Sequence, residues 1–456
     1  MRGVPTELSV PCGTFAIATL GCKVNQYDSL AIARQLRAAG LQQVAFHQRA
    51  DAYIVDTCTV TAMADRKSRK TFSRAVRKNP NAVFAVTGCA VEWAADQFRA
   101  IQPDCLIVGN RDKPQLPARL LEKLRAREVF TDCAGQDSSR SRAPAAPTVR
   151  TGNGLCEVRA ALKVQDGCNR TCTYCIIPSV RGLPYSRPAK ELVREARELV
   201  EEGARELVLT GVLLGEYGTN ESWRRRGARH PLAELMSQLC EIGGLQRLRL
   251  STLDPRDLHD DIIEAMATLP KCGRHVHLPL QSGSDFVLRA MKRGYTTAQF
   301  ANRVERLRAA IPTMGLTTDI MVAFPGETTD DFTATLEFAR AMEFSGIHVF
   351  PFSPRPGTAA ESLPLRVPPA ESGARAARLI QLAEALTTEF ATGQLHHSTR
   401  VLIEATDDDR ASGMTPELLR VELPGSAPLG AMITATPRCW DGRQFVAESQ
   451  PWPNAN

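Results

Sequence analysis

The sequence has no uninterrupted apolar run approaching the roughly 18 residues that a membrane-spanning helix requires, which excludes a chain built on helical spans. It also lacks a strong excess of either charge. Fifty-six Lys+Arg against 50 Asp+Glu leave a net +6 at pH 7, a balance that permits a nucleic-acid partner without requiring one. The 13 cysteines are odd in number, and no export signal accompanies them: the TFAIATL stretch after Glu7 reads as a strand rather than as the apolar core of a leader. A disulfide framework does not fit that pattern. Reduced thiolates holding metal do, and the expected location is the cytoplasm. Repeats of solenoid length are absent as well.

What is present is a hydrophobic content of 43% over 456 residues, enough for about three domains at roughly 150 residues each. The expected fold class is α/β. Over residues 14–125 the apolar runs TFAIATL, AYIVDT, AVFAVTG and CLIVG alternate with helix-like stretches, the grammar of an N-terminal parallel α/β domain. Residues 134–151 carry almost no apolar bulk and are expected to be a linker. Residues 155–392 hold six strand-helix units, on ALKVQD, ELVLTGV, LRLST, HVHLPL, LTTDIMVAF and GIHVFPF. Six units cannot close an eight-stranded barrel, so a partial (βα)6 barrel is expected, with its chemistry at the carboxyl ends of the strands. The tail, residues 396–456, returns to short β-like pieces and predicts a small all-β domain.

The densest chemistry lies in Cys168-Asn-Arg-Thr-Cys172-Thr-Tyr-Cys175, just past the first strand of the second body. Three cysteines at that spacing wrap three irons of a cubane cluster and leave the fourth iron open, as catalysis needs. A structural zinc site is the alternative, but such sites are closed by four ligands, and no Cys or His lies between Cys175 and His230 to complete one. A second set, Cys22, Cys58 and Cys89, is spread through the first body, each just past a predicted strand. In a parallel sheet those strand ends share one edge, so the thiolates can converge although 36 and 31 residues separate them. Taken singly, each is equally well a small buried hydrophobe, the role expected of Cys12, Cys105, Cys133, Cys156, Cys240, Cys272 and Cys439.

Cys168 to Cys175 resembles the cluster motif of radical S-adenosylmethionine (SAM) enzymes. Thr19-Leu-Gly-Cys22-Lys-Val-Asn25-Gln, Asp56-Thr-Cys58-Thr-Val-Thr61, Ala64-Asp-Arg-Lys-Ser68-Arg and Thr87-Gly-Cys89 resemble the N-terminal motifs of the methylthiotransferase family. His277-Leu-Pro-Leu-Gln281-Ser-Gly-Ser284-Asp and Asp319-Ile-Met-Val-Ala-Phe-Pro-Gly326-Glu327 resemble its barrel motifs, so the likeness runs from about Thr14 to Thr358. It implies a radical SAM barrel, an auxiliary [4Fe-4S] cluster on Cys22, Cys58 and Cys89, and a [4Fe-4S] cluster on Cys168, Cys172 and Cys175 that binds and cleaves SAM. The tail stands where the family carries an RNA-binding TRAM domain. Two departures are visible. Cys89 is followed by Ala-Val-Glu where the family commonly has Tyr-Ala-Gln, and Gly211-Val-Leu-Leu-Gly-Glu-Tyr-Gly218 carries Leu213 and Glu216 in place of Asn or His and Ser.

Within the family, Leu-Gly-Cys-Lys-Val-Asn together with Ala-Asp-Arg-Lys-Ser is most similar to the branch that acts on threonylcarbamoyladenosine. That implies insertion of a methylthio group at C2 of N6-threonylcarbamoyladenosine next to the tRNA anticodon. The implied partners are SAM, the anticodon arm of tRNA and an electron donor such as flavodoxin or ferredoxin. The branches acting on isopentenyladenosine in tRNA or on a ribosomal protein are alternatives. From another class, so is a non-catalytic RNA-binding protein stabilised by zinc.

Four further features are candidates. Arg66, Lys70, Arg74 and Arg77 fall on one face of a predicted helix with no acidic residue among them, a row that suits RNA phosphates or a solvated surface. Trp223-Arg-Arg-Arg226 with Arg229 is a second basic run, equally readable as a loop insertion. His275 and His277 are expected to point to opposite faces, with one of them in the core. Asp319 and Glu327 either hydrogen-bond SAM or orient the turn at Pro325-Gly326. The segment from His396 onward has five Arg against eight Asp+Glu, which is unlike a generic RNA grip.

Overall fold

The computed structural model of the protein describes residues 13–127, 158–219 and 228–449. The expected linker at 134–151 and the basic run at 223–226 lie outside them. The chain divides into two compact units. The first comprises the described residues up to 127 together with Ile176–Gly182, and the second comprises the rest.

The first unit is a five-stranded parallel sheet. Its strands are β1 (Thr14–Thr19), β2 (Gln42–Gln43), β3 (Ala52–Thr57), β4 (Val83–Gly88) and β5 (Leu106–Val108), in the order β2-β1-β3-β4-β5. Every residue of β3 and β4 is buried, as expected of central parallel strands covered on both faces. Helices α1 (Lys23–Ala38) and α4 (Leu116–Ala126) pack Ile32, Leu36, Leu116 and Leu120 against Phe15, Ile54 and Ala85. Helices α2 (Ala62–Lys78) and α3 (Val91–Arg99) pack Phe72 and Phe98 against Tyr53, Phe84 and Val86 on the other face. Between them Lys113 is buried against Asp28 at 2.9 Å and Asp56 at 3.1 Å. A fifth helix, α5 (Ile177–Arg181), belongs to this unit although it follows Cys175 in sequence. Its Ile177 and Val180 pack with Cys89.

In the second unit six parallel strands run in sequence order: β6 (Arg159–Lys163), β9 (Glu206–Thr210), β10 (Arg247–Leu250), β11 (His275–His277), β12 (Gly315–Val322) and β13 (Gly346–Pro351). Bridges Leu248 to Cys272 and Thr252 to His277 join its two halves. A short antiparallel pair, β7 (Gln165–Asp166) and β8 (Tyr185–Ser186), flanks the cysteine loop. Leu162, Leu209, Leu250, Val276, Leu316 and Ile320 all pack against the helices. The alternating residues therefore line the opposite face, as the pleat requires. This is the partial (βα)6 architecture expected from the sequence. The tail forms a closed five-stranded barrel, β14 (Thr399–Thr406), β15 (Arg410–Met414), β16 (Arg420–Pro424), β17 (Met432–Trp440) and β18 (Phe445–Ser449), and it belongs to the same unit as the six strands.

Glu206, at the start of β9, joins the two parts. It has no exposed surface, forms an ion pair with Arg159 at 2.8 Å, and accepts from Arg249 at 3.1 Å and Arg247 at 3.4 Å. Arg247 also donates to Met414 O and Arg400 O (2.8 and 3.0 Å), and Arg249 to Pro416 O and Thr415 O (2.8 and 3.1 Å). Arg159 pairs with Glu404. Burial opposes ionisation of Glu206, but Arg249, Arg159 and Arg247 outweigh it and hold the carboxyl down from its ordinary 4.5 to about 2. The stabilisation is therefore complete above pH 4.5 and is lost as pH falls toward about 2. Glu206→Gln should cost about 3–5 kcal/mol in denaturant unfolding at pH 7, because the guanidinium groups stay buried without their counter-charge. The variant should also lose the wild type's sensitivity between pH 4.5 and 2.

Candidate functional site

Strands β1, β3 and β4 end at Thr19, Thr57 and Gly88, and Cys22, Cys58 and Cys89 follow them. The order β2-β1-β3-β4-β5 reverses between β1 and β3, where open α/β sheets leave a crevice at their carboxyl edge. Cys58 and Cys89 are buried and Cys22 is exposed. A Cβ on Gly21 (φ +96°) would stand 2.8 Å from Cys58 Sγ, so glycine lets this loop close over the sulfur. Burial pushes the Cys58 thiol up to about 12, and the nearby Cys89 and Cys22 push the same way. Burial also raises Cys89, against the opposing charge of Arg181. Three sulfurs in electrostatic reach of one another, two of them buried where ionisation is resisted, form a donor set that suits a metal cluster taking them as thiolates.

The residues of the N-terminal motifs hold these loops. Asn25 Nδ2 donates to Leu20 O at 2.8 Å and Thr57 O at 2.9 Å, tying the ends of β1 and β3 together. Ser68 Oγ accepts from Cys58 N at 3.2 Å and lies 2.9 Å from Ala64 O. The buried Arg181 of α5 donates to Asn25 Oδ1. Asn110 Nδ2 lies 3.8 Å from Cys89 Sγ and donates to Val180 O at 2.8 Å, while Asn110 N donates to Glu92. Glu92 stands where the family motif has Gln, so the departure after Cys89 preserves an acceptor for this loop.

In the second unit the loop of Cys168, Cys172 and Cys175 follows β7. Cys168 is buried and its Sγ accepts from Arg170 N at 3.4 Å. Thr173 fixes the middle of the loop, N to Met291 O at 3.1 Å and Oγ1 to Ala290 O at 3.0 Å, and its carbonyl accepts from Ala360 N. The buried Arg293 places Nη1 3.3 Å from Cys172 Sγ and Nη2 3.0 Å from Asp254, so a cation stands beside the sulfur. Arg170 pairs with Glu216 at 3.0 Å and Asp257 at 2.5 Å. Glu216, the departure from the family's Ser, is thus the partner of an arginine inside the cysteine loop. At the carboxyl edge Ser251 Oγ and Gln281 Oε1 are buried without a hydrogen-bond partner. Gln281 also has φ 71°. Such unsatisfied atoms fit a ligand rich in hydrogen-bonding groups, as SAM is.

The remaining candidates separate. Arg66, Lys70, Arg74 and Arg77 are all exposed, opposite the buried Ser68, Phe72 and Ala75 of α2. His275 and His277 do not point apart as expected: residues two apart share a face of a strand, and both rings reach Thr317 Oγ1, at 2.9 and 3.0 Å. Glu327 is buried, accepting from Ala323 N at 2.7 Å and Arg375 at 2.6 Å, so it orients the turn at Gly326. Asp319 lies 3.3 Å from His277 Nε2. Arg293, Arg181 and Asn110 escaped the sequence reading, because their sulfur contacts come from far along the chain and no local pattern marks them.

Residues 14–109 match the uncharacterized protein family UPF0004, and residues 162–339 match the radical SAM superfamily. The threonylcarbamoyladenosine tRNA methylthiotransferase MtaB of Bacillus subtilis (strain 168) is 35% identical over 91% of this chain and 91% of its own. The tRNA-2-methylthio-N(6)-dimethylallyladenosine synthase of Syntrophotalea carbinolica is 35% identical over 86% and 89%. Among solved structures, the radical SAM methyltransferase TsrM of Kitasatospora setae, with cobalamin and a [4Fe-4S] cluster bound, shares the fold at TM-score 0.52 and 15% identity, covering 76% of this chain and 77% of that one.

Ser68→Ala removes the acceptor of the buried Cys58 N–H and should destabilise the first unit by about 1–3 kcal/mol in denaturant unfolding. Ser73→Ala on the same helix should stay within about 0.5 kcal/mol of wild type.

Proposed function

The chain belongs to the radical SAM tRNA methylthiotransferase family, and from that premise we propose that it adds a methylthio group to C2 of N6-threonylcarbamoyladenosine beside the anticodon. SAM and [4Fe-4S] clusters are the cofactors of such enzymes. In this reading Cys168, Cys172 and Cys175 hold the cluster that meets SAM, and Cys22, Cys58 and Cys89 hold the auxiliary one. Bound there, these groups supply a methyl donor, a sulfur carrier and a radical able to take hydrogen from an unactivated carbon. The observation that carries the reading is the pair of cysteine triads, each on the carboxyl edge of its own parallel sheet.

The protein's own contribution is positioning and charge. Arg293 places a guanidinium beside Cys172 Sγ and the Arg170 N–H donates to Cys168 Sγ, so both sulfurs have a donor beside them that a metal-bound sulfur can use. Asn25 and Ser68 fix the loops of the first triad. A base in the single-stranded anticodon loop can leave its stack for a pocket without melting a helix. The threonylcarbamoyl substituent is favoured by the Leu-Gly-Cys22-Lys-Val-Asn25 and Ala64-to-Ser68 motifs. Isopentenyladenosine is the second reading, because relatives bearing that name are equally identical. An electron donor of the flavodoxin or ferredoxin kind completes the proposal.

Mass spectrometry of tRNA nucleosides decides between the two substrates. A deletion strain should lose the methylthio form of threonylcarbamoyladenosine and keep its precursor; loss of methylthio-isopentenyladenosine instead selects the second reading. Triple Ala replacement of either triad should fail to complement, and each should halve the roughly eight irons that two four-iron clusters bring after anaerobic reconstitution. The Cys22/Cys58/Cys89 variant should still cleave SAM to 5′-deoxyadenosine.

We assign tRNA binding to the exposed row of Arg66, Lys70, Arg74 and Arg77, with the acidic β module adding less electrostatic affinity. Charge reversal of the row should weaken tRNA binding and flatten the plot of log affinity against log salt by about 0.7–0.9 for each phosphate no longer neutralised. Wild-type affinity across the whole salt series would make the row a solvated surface.

A further inference from the structure

On the inner face of the six-stranded sheet, three polar side chains from adjacent strands come together. His277, Asp319 and His348 lie on β11, β12 and β13, and Asp319 pairs in register with His348. One nitrogen or oxygen of each lies within 4.8 Å of those of the other two. The His277 and His348 rings are 5.7 Å apart. His277 is held at both nitrogens, Nδ1 by Thr317 Oγ1 at 3.0 Å and Nε2 by Asp319 Oδ2 at 3.3 Å. Their strand neighbours Val276, Ile320, Ile347 and Val349 pack against the helices, so the trio faces the other side.

A single arginine links the trio's strand to the cysteine loop. Pro279, two residues past His277, accepts through its carbonyl from Arg293 at 3.4 Å, and the same guanidinium contacts Cys172 Sγ. Access is graded: His277 is 14% exposed, Asp319 is 31% exposed, and His348 is open to solvent. A fixed, half-covered pair beside an exposed imidazole is an arrangement for recognising something that enters from outside.

We infer that His277, Asp319 and His348 form the wall that receives the N6 substituent of the target adenosine and selects a polar, carboxylate-bearing substituent over an apolar one. The inference rests on the proposed function and deepens it. A threonylcarbamoyl group brings a carboxylate, a hydroxyl and amide N–H groups. His348 donates to the carboxylate, Asp319 accepts from the hydroxyl or an N–H, and His277 positions Asp319. A prenyl chain offers none of these groups, and against this wall it would strip water from Asp319 and His348 without replacing it.

The test uses the full chain with both clusters reconstituted, and anticodon stem-loops carrying N6-threonylcarbamoyladenosine, N6-isopentenyladenosine or unmodified adenosine. Wild type should bind the threonylcarbamoyl stem-loop more tightly than the unmodified one. His348→Leu should erase about 10- to 100-fold of that preference while binding the unmodified stem-loop as wild type does. His348→Gln, which keeps a donor, should retain most of it. Iron content and cluster absorbance check that the variants are intact. An undiminished preference in His348→Leu overturns the inference and leaves the substrate reading standing. Wild type that prefers the isopentenyl stem-loop overturns the substrate reading and the inference with it. Zinc or iron beyond the clusters that disappears with His348→Leu overturns the inference in favour of a cation site.

Discussion

A parallel strand can be followed by another only if the chain leaves the sheet and returns, so every such strand releases its chain at the same edge. That constraint organises both units. In the first it sets Cys22, Cys58 and Cys89 past β1, β3 and β4 at a point where the strand order reverses. In the second it gathers the cysteine loop, Ser251 and Gln281 at the carboxyl edge and leaves His277, Asp319 and His348 on the inner face. Asn25 and Ser68 in one unit and Thr173 in the other fix the released loops without touching the sulfurs, while Arg170 both donates to Cys168 Sγ and ties its loop to Glu216 and Asp257.

The opposite edge of the second unit is closed by charge. Glu206, Arg159, Arg247 and Arg249 would be costly to bury singly, and together they satisfy one another and five groups of the β module. The guanidinium groups reach main-chain carbonyls of Arg400, Met414, Thr415 and Pro416, so the module is held largely through its backbone. Its surface side chains therefore stay free of this attachment.

The sequence made the strands readable wherever they were long and apolar. β3, β4 and β9 carry the apolar runs AYIV, VFAV and LVL and β12 ends in Ile-Met-Val, whereas β2 is Gln42–Gln43 and carries no such signal. The six barrel strands and the placement of each cysteine just past a strand end were legible for the same reason. What supports the sulfurs was not, because Arg293 lies 121 residues from Cys172 and Arg181 lies 156 from Asn25. The histidine pair differs from the expectation for another reason: a strand's period of two puts His275 and His277 on one face, where both rings reach Thr317 Oγ1. Assignment of the triads to particular clusters comes from family likeness rather than from spacing or geometry alone.

The helix Ile177–Arg181 lies in sequence within the second unit, yet it packs beside Cys89 and its Arg181 bonds Asn25. The first unit is thus not a separable module in the genetic sense. A crossover between residues 127 and 158 would join foreign strands to a resident α5, and the incoming Asn25 and Cys89 would meet the resident Arg181, Ile177 and Val180. Exchanging residues 13–127 alone would therefore leave part of the first unit behind, in five residues that fold away from their neighbours in sequence.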